Sequence, residues 1–290
     1  MQALSRFLLA ALVTFTFAIP ALAQTTIPAY QASYHNFDVP NSNGTTNPTG
    51  INNHRTIVGT YTDSTISTVR GFIFADGHVT PLDAPGATST NANKVNDNDQ
   101  VVGNFADSAG ATHAFLYQNG SFTVFDFPGA TATLANDINN SGVVVGEYDN
   151  PDFSVHGFVR MPDGTVTTFD DPNFAGQPAV GNNDLQHIAG PNYLFADGTF
   201  TTYFVPGSFT TQGHDLNNQD QIVGVYAGPN TGSADGFVRN SNNSYFDVRF
   251  PNSDETLAEG INDKGVVVGS WASFHGSGGS GGFIAIPKGQ

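Results

Sequence analysis

The chain of 290 residues contains no cysteine. That excludes a disulfide framework, a thiolate nucleophile and any cysteine-ligated zinc or iron–sulfur centre. Charge is scarce as well: 12% of residues are charged, and nine Lys and Arg stand against 25 Asp and Glu, for a formal charge of −16. A phosphate-binding surface needs a basic patch, so nucleic acid is not an expected partner. The same shortage argues against an anionic membrane surface. Long apolar runs are missing too. The longest, Phe7 to Ile19, has 13 residues and is too short to cross a bilayer, so no membrane anchor is expected. No later segment shows a 3.6-residue apolar period, which leaves no amphipathic helix. What is present is a hydrophobic content of 39% with 24 Phe and 9 Tyr, ample for a core, together with 33 glycines.

The first 23 residues have the layout of a secretory signal. Met1 to Ser5 carries no acid, Arg6 is positive, the apolar stretch follows, Pro20 breaks it, and Ala21-Leu22-Ala23 offers small residues before Gln24. The expected location is therefore secreted or periplasmic, with cleavage near Ala23 and Gln24. Residues 24–33 read as a lead-in.

Residues 34–287 read as one domain made of a repeating unit. Ile51-Asn52-Asn53 leads to Val58-Gly59, Val95-Asn96-Asp97 to Val102-Gly103, and Ile138-Asn139-Asn140 to Val145-Gly146. The pattern returns from Leu216-Asn217-Asn218 to Val223-Gly224 and from Ile261-Asn262-Asp263 to Val268-Gly269, with a weaker copy from Asn183-Asp184 to Ala189-Gly190. The glycines at 59, 103, 146, 190, 224 and 269 are spaced by 44, 43, 44, 34 and 45 residues. Such a period marks a repeat architecture. Each unit holds four short strands, A to D, separated by Asn, Asp and Gly turns; in the third they are expected at 131–139, 143–148, 157–161 and 166–170. Four strands repeated six times is the signature of an all-β, six-bladed β-propeller with four-stranded blades. The last unit stops at Pro287 without a strand D, and the segment 34–40, Tyr-His-Asn-Phe-Asp-Val-Pro, matches strand D of the others. The N-terminal strand is thus expected to close the last blade and remove its open edge.

The recurring I-N-[ND]-x-x-x-[IV]-V-G, followed by [GA]-F, then N/D-G and F-x-x-P-G-A, resembles the bacterial extracellular family called HAF repeats. The resemblance covers residues 34–287 and implies a secreted, β-propeller-like protein. It implies no particular activity. The fourth unit departs from the pattern, because Gly190 is followed almost at once by Tyr193.

Local motifs carry little chemistry. The six-fold Asn at 52, 96, 139, 183, 217 and 262 reads as hairpin-turn chemistry, since Asn caps its own turn and tolerates positive φ. Asn96 to Asp99 and Ile261 to Gly265 start like calcium loops but lack the closing acidic residue. Gly276 to Gly281 matches a dinucleotide-binding glycine pattern by letter, yet it leads into a strand and not a helix, so it reads as a flexible loop. The eight histidines show no metal-ligand spacing, and no GxSxG elbow is present.

A composite site built from several units remains, and strand A would line the axis. Three positions before the recurring Asn stand Thr49, Asn93, Asn136, Val180, His214 and Glu259; one position closer stand Gly50, Lys94, Asp137, Gly181, Asp215 and Gly260. Among these, Asn93, Asn136, Asp137, His214, Asp215 and Glu259 form the candidate axial ligand or metal set. Ala92, Ala135, Ala179 and Ala258 read as packing. The shortened loop of the fourth unit, Pro191-Asn192, is expected to notch the rim over Val180, His214 and Asp215. The leading expectation is a secreted, non-enzymatic binding or scaffold protein without a cofactor, whose partners are glycans or other proteins. The alternative is a hydrolase or lyase of the six-bladed lactonase type, with Glu259, Asn136, Asp137, His214 and Asp215 around one axial calcium.

Overall fold

A computed structural model describes residues 27–289 apart from 173–175, 230, 232, 276 and 277. The expected signal segment, residues 1–23, lies outside the described residues, as do two residues of the glycine-rich stretch. Every regular element among the described residues is a strand. The fold is all-β.

The strands form consecutive antiparallel meanders of four. The first unit comprises Asn47–Ile51, Ile57–Asp63, Thr68–Ala75 and His78–Leu82. The second comprises Ser89–Val95, Val101–Ala106, Thr112–Gln118 and Ser121–Phe125. In the third, Ala132–Ile138, Val144–Asp149, Val155–Arg160 and Val166–Thr168 fall within two residues of the expected bounds. A single parallel bridge, Ala132 to Thr112, joins this unit to the second. The fourth is abbreviated to Gly181–Asn182, Ile188–Ala189, Tyr193–Ala196 and Thr199–Thr202. The fifth holds Thr210–Leu216, Ile222–Ala227, Asp235–Arg239 and Tyr245–Val248. The sixth holds Glu255–Ile261, Val267–Ser273 and Gly279–Pro287, and its outermost strand is Ala32–Phe37, paired with His35 opposite Ile284 and Phe37 opposite Gly282. The lead-in touches the fifth unit first: Tyr30 N–H donates to Asp247 O at 2.7 Å and Asp247 N–H to Pro28 O at 2.8 Å.

The recurring Gly and Phe are two halves of one packing device. Gly59 faces Phe72, Gly103 faces Phe115, Gly146 faces Phe158, Gly224 faces Phe237 and Gly269 faces Phe283 across the B–C ladder. All five rings are fully buried. A Cβ at Gly146 would lie 2.0 Å from Leu134 O and 2.8 Å from the Phe158 ring, so any side chain there would displace the aromatic or the inner strand.

The paired valines of strand B point to opposite faces, as the period of two requires, and each serves a different neighbour. Val101 packs with Val58 and Leu82 of the first unit, whereas Val102 packs with Ala135 and Phe158 of the third. Apolar clusters of this kind occupy every unit-to-unit interface. The one formed by Phe37, Val39 and Val268 with Ile51, Ile57 and Phe72 joins the sixth unit to the first. Ala92, Ala135, Ala179 and Ala258 are fully buried in these clusters, as their packing role requires.

Two hydrogen-bonded circuits run through the A–B turns. Each recurring Asn accepts two backbone N–H bonds from its own turn; Asn139 Oδ1, for instance, takes those of Ser141 and Val143, both at 3.0 Å. The residue three places on has positive φ in every unit, including Asp99 and Gly142. The Nδ2 group of the same Asn reaches the next unit's Asn carbonyl: 52 to 96, 96 to 139, 139 to 183, 183 to 217, 217 to 262 and 262 back to 52, all at 2.9–3.1 Å. One residue further on, Asn53, Asp97, Asn140, Asp184, Asn218 and Asp263 alternate amide and carboxylate. Each Asn Nδ2 bridges the Oδ2 atoms of both neighbouring Asp residues, at 2.7–3.1 Å.

Two outcomes follow. Deleting residues 24–40 strips the outer strand from the sixth unit and removes Phe37 and Val39 from their cluster, so the melting temperature should fall by about 10 °C or more; an unchanged cooperative melt would refute this. Asn140→Asp places a carboxylate between Asp97 and Asp184 and should cost about 1–3 kcal/mol at neutral pH. Like charges raise carboxyl pKa values in the folded state, so the loss should shrink as pH falls through about 4, measured by urea unfolding across pH.

Candidate functional site

Strand A carries a bulge two residues before its end, and the bulge explains why two successive positions act at the centre. The ladder register shifts between Pro48 and Gly50, Ala92 and Lys94, Ala135 and Asp137, Gly213 and Asp215, and Ala258 and Gly260. A bulge sets two residues against one, so alternation no longer turns the second away.

The inner of these positions forms a buried cluster around Lys94. Its Nζ donates to Thr49 O at 2.6 Å and Glu259 O at 2.5 Å and lies 3.4 Å from Asp215 Oδ2, thereby touching the first, sixth and fifth units from the second. Glycines at 50, 181 and 260 make space: a Cβ on Gly50 would stand 2.9 Å from Lys94 Cα. Asp215 accepts from Leu216 N–H and from Ile261 N–H of the next unit, both at 2.8 Å. Asp137 does the same with Ile138 at 2.7 Å and Asn182 at 2.6 Å. Burial, reinforced by Asp215 and opposed by Lys94, pushes Asp137 up to about 8.

Between this cluster and the Asn–Asp circuit lies a cavity of about 70 Å³, lined by Lys94, Asp137, Asn182, Asp215 and both rings of turn residues. That is room for water, not for an organic substrate, which needs roughly 300 Å³ or more.

The outer position holds an acid–base pair. His214 Nδ1 lies 2.8 Å from Glu259 Oε2 and 3.2 Å from Ala258 O. Burial alone would lower the imidazole pKa, but Glu259 outweighs it and the result is a raised value. Burial would raise Glu259, and His214 and Lys94 together hold it below the ordinary carboxylate range. The two side chains remain 22% and 19% exposed, so the pair is not sealed.

Of the six residues singled out from sequence, the structure therefore gathers Asp137, His214, Asp215 and Glu259 around Lys94. Asn93 and Asn136 are engaged elsewhere. Asn93 Nδ2 donates to Ala135 O at 2.8 Å and Asn136 Nδ2 to Ala179 O at 3.0 Å, tying each unit to the next, and Thr49 Oγ1 repeats this with Ala92 O at 2.7 Å. A calcium cage needs several oxygens converging at about 2.3–2.6 Å. Here the ammonium of Lys94 holds the centre, and among the described residues no group of three or more His, Asp and Glu could hold a metal. The axial set as it stands does not fit calcium. The turn segments fare no better: Asp99 Oδ1 is taken by Asn52 Nδ2 and Thr56 Oγ1, and Asp97 and Asp263 belong to the circuit.

At the expected notch the short connection Pro191-Asn192 is hydrogen-bonded to its surroundings. Pro191 O accepts from Gly213 N–H, and Gly190 O from Tyr203 O–H, both at 2.6 Å, so the short connection is bonded down onto the fifth unit beside His214.

Two features escaped the sequence reading. Lys94 was visible as a single cation in a column of Gly and Asp, a signal in itself. The other is a rim pair between the residue two places ahead of the buried Phe and the end of strand D: Arg70 with Asp83, His113 with Asp126 and His156 with Asp170, inverted as Asp235 with Arg249. Its spacing of 13 or 14 residues is legible once the repeats are aligned.

No family model matches the chain, and no curated protein matches it. Solved structures do. Virginiamycin B lyase from Staphylococcus aureus superimposes with a TM-score of 0.53 at 12% identity, over 88% of this chain and 99% of that one. A gluconolactonase from Xanthomonas campestris gives 0.52 at 13%, over 91% and 98%. Regucalcin, a calcium-binding protein from Agrobacterium tumefaciens, gives 0.50 at 10%, over 90% and 95%. The architecture is propeller-like. At such identities the likeness speaks for the fold alone.

The central cluster should be unforgiving. Lys94→Met leaves Asp137 and Asp215 without their cation and two carbonyls without a donor, at a cost of about 3–5 kcal/mol by urea unfolding. Because loss of the cation raises the folded value of Asp137 further, the penalty should be larger at pH 8 than at pH 5.

Proposed function

We propose that the chain is a secreted six-bladed propeller of the HAF-repeat kind, closed by its N-terminal strand, whose axial pair, His214 and Glu259, performs acid–base chemistry of the lyase or hydrolase type. The observation that carries this reading is the pair itself: an imidazole held through Nδ1 by a carboxylate at 2.8 Å, partly open to solvent. A histidine oriented in this way can give or take a proton at Nε2 while Glu259 stabilises the charged ring. The fold it shares with a lyase and a gluconolactonase is one that can carry such chemistry, and it adds no residue to the reading. Lys94 supplies the fixed positive charge at the centre, so no step is assigned to calcium.

A second reading, non-enzymatic recognition of glycans or proteins outside the cytoplasm, is favoured by one observation. Thr49, Asn93 and Asn136, the polar neighbours of His214 and Glu259 in the same ring, spend their side chains joining units.

The test is turnover by the purified mature chain of a panel of lactones and of a streptogramin B. Activity is expected to survive a chelator and to drop about 10²–10⁴-fold in His214→Gln and in Glu259→Gln. Turnover by none of the panel, or equal turnover by both variants, would sink the catalytic reading. The pair also has a stability signature. Glu259 contributes above its unfolded value near 4.5, and His214 contributes until pH rises past its folded value above 6.5. A double-mutant cycle should therefore show a coupling of about 1–3 kcal/mol near pH 6 that fades toward pH 9.

A further inference from the structure

We propose that Ser154, His156 and Asp170, on the rim of the third unit, form a second reactive centre, in which the serine is a nucleophile that cleaves neutral carboxylic esters. His156 Nδ1 lies 2.8 Å from Asp170 Oδ2, and its Nε2 lies 3.1 Å from Ser154 Oγ. The carboxylate thus sits on the nitrogen that orients the ring and the hydroxyl on the nitrogen that takes the proton, the order a Ser–His–Asp relay needs. Asp170 Oδ1 also accepts from Gly157 N–H at 3.1 Å, and the imidazole stacks on Tyr148 with centroids 5.3 Å apart. The ring is therefore held in place while its side chain stays 27% exposed.

The turn that carries the serine has a twin. At 150–154, Asn150 Nδ2 donates to Ser154 Oγ at 3.1 Å, and Asp152 Oδ1 accepts from Ser154 N–H at 3.0 Å and from its hydroxyl at 2.7 Å. At 240–244, Asn240, Asn242 and Ser244 make the same three contacts at 3.1, 3.0 and 2.7 Å. The turn explains how the hydroxyl is placed, but not the histidine two residues on, where the twin has Phe246. The rim pair in turn does not explain the serine, because in the second unit the other nitrogen of His113 faces a carboxylate, Asp107, at 3.5 Å. The residue before the serine differs as well. Asn243 takes a left-handed φ of +63° in the twin, a conformation Asn tolerates, whereas Phe153 holds +66° and is 94% exposed. A bulky residue kept in that region beside the hydroxyl offers an apolar surface to the acyl or aryl group of an ester.

The reaction balances with water as its only co-reactant. Ser154 Oγ attacks the carbonyl carbon while its proton passes to His156 Nε2; the ester C–O bond then breaks and the alcohol leaves with that proton. Water attacks the acyl carbon and gives a proton to Nε2, and the C–Oγ bond breaks as Oγ takes the proton back, releasing the acid. At rest the hydroxyl hydrogen has a nearer acceptor in Asp152, but a hydroxyl turns about its C–O bond and reaches the imidazole without movement of any heavy atom. Asp152 and Asp170 flank the serine and the histidine, so a neutral ester is accepted and an anionic one repelled.

The purified mature chain is treated with a fluorophosphonate, which phosphonylates serines activated by a base, and the labelled residue is located by peptide mass spectrometry; p-nitrophenyl butyrate serves as the turnover probe. Label is expected at Ser154 and not at Ser244. His156→Gln, with the melting temperature of the parent, should slow labelling by about 10²-fold or more, and Ser154→Ala should lower ester turnover by about as much. Asp170→Asn should slow labelling, and Asp170→Glu should restore part of the rate. Asp152→Asn keeps the turn, since the twin has Asn242 there, and should label at least as fast as the parent. No label at Ser154, equal labelling of Ser244, a rate indifferent to His156→Gln, ester turnover undiminished in Ser154→Ala, no recovery in Asp170→Glu, or loss of labelling in Asp152→Asn would each overturn the proposal. The label reads one serine, so neither success nor failure at His214 and Glu259 alters the outcome.

Discussion

Everything in this molecule depends on one side-chain amide used at both ends. The recurring Asn closes its own A–B turn through Oδ1 and reaches the neighbouring turn through Nδ2. Turn geometry and unit-to-unit geometry are thus set by the same few atoms. Asp could close the turn but has no donor for the neighbour, and Gln is a carbon too long to hold the same two-sided geometry. Each bond contributes only about 1 kcal/mol net, yet each also satisfies a buried carbonyl that would otherwise cost about 1–3 kcal/mol. Six such bonds in a circuit leave no unit free to move without opening two of them.

The second circuit adds a constraint of parity. Amide donors and carboxylate acceptors alternate around it, so a closed ring without like neighbours requires an even number of units. Asn53 and Asp263, separated by almost the whole chain, satisfy that requirement at 2.7 Å. The interfaces behind the circuits are apolar and repeat the same logic, one valine of each strand B facing each neighbour.

At the centre the constraint is electrostatic. Lys94, Asp137, Asp215, His214 and Glu259 come from four units and sit in a region where unbalanced charge is expensive. Burial favours the protonated form of Asp137, Lys94 lies beside Asp215, and His214 pairs with Glu259. His214 and Glu259 stay open enough to exchange a proton. The cation that a cage of oxygens would otherwise attract is already present as a side chain.

The repeat was legible because it is written in residues with local jobs: Asn and Gly for turns, Gly opposite Phe for packing, paired valines for two faces. From these the sequence alone determined the strands, their number per unit and the identity of the unit that is short. His214, Asp215 and Glu259 could be singled out because they interrupt a column of small and amide residues. What the sequence could not decide is where long side chains go once the units meet. Asn93 and Asn136 carry the same donors whether they face a ligand or the next unit's carbonyl, and only the 2.8–3.0 Å distances to Ala135 O and Ala179 O settle it. Lys94 reads as one more polar residue until three other units are placed around its ammonium. Local propensity acts through neighbours in the chain, whereas sites are made by neighbours in space, and here those are supplied by the tertiary structure.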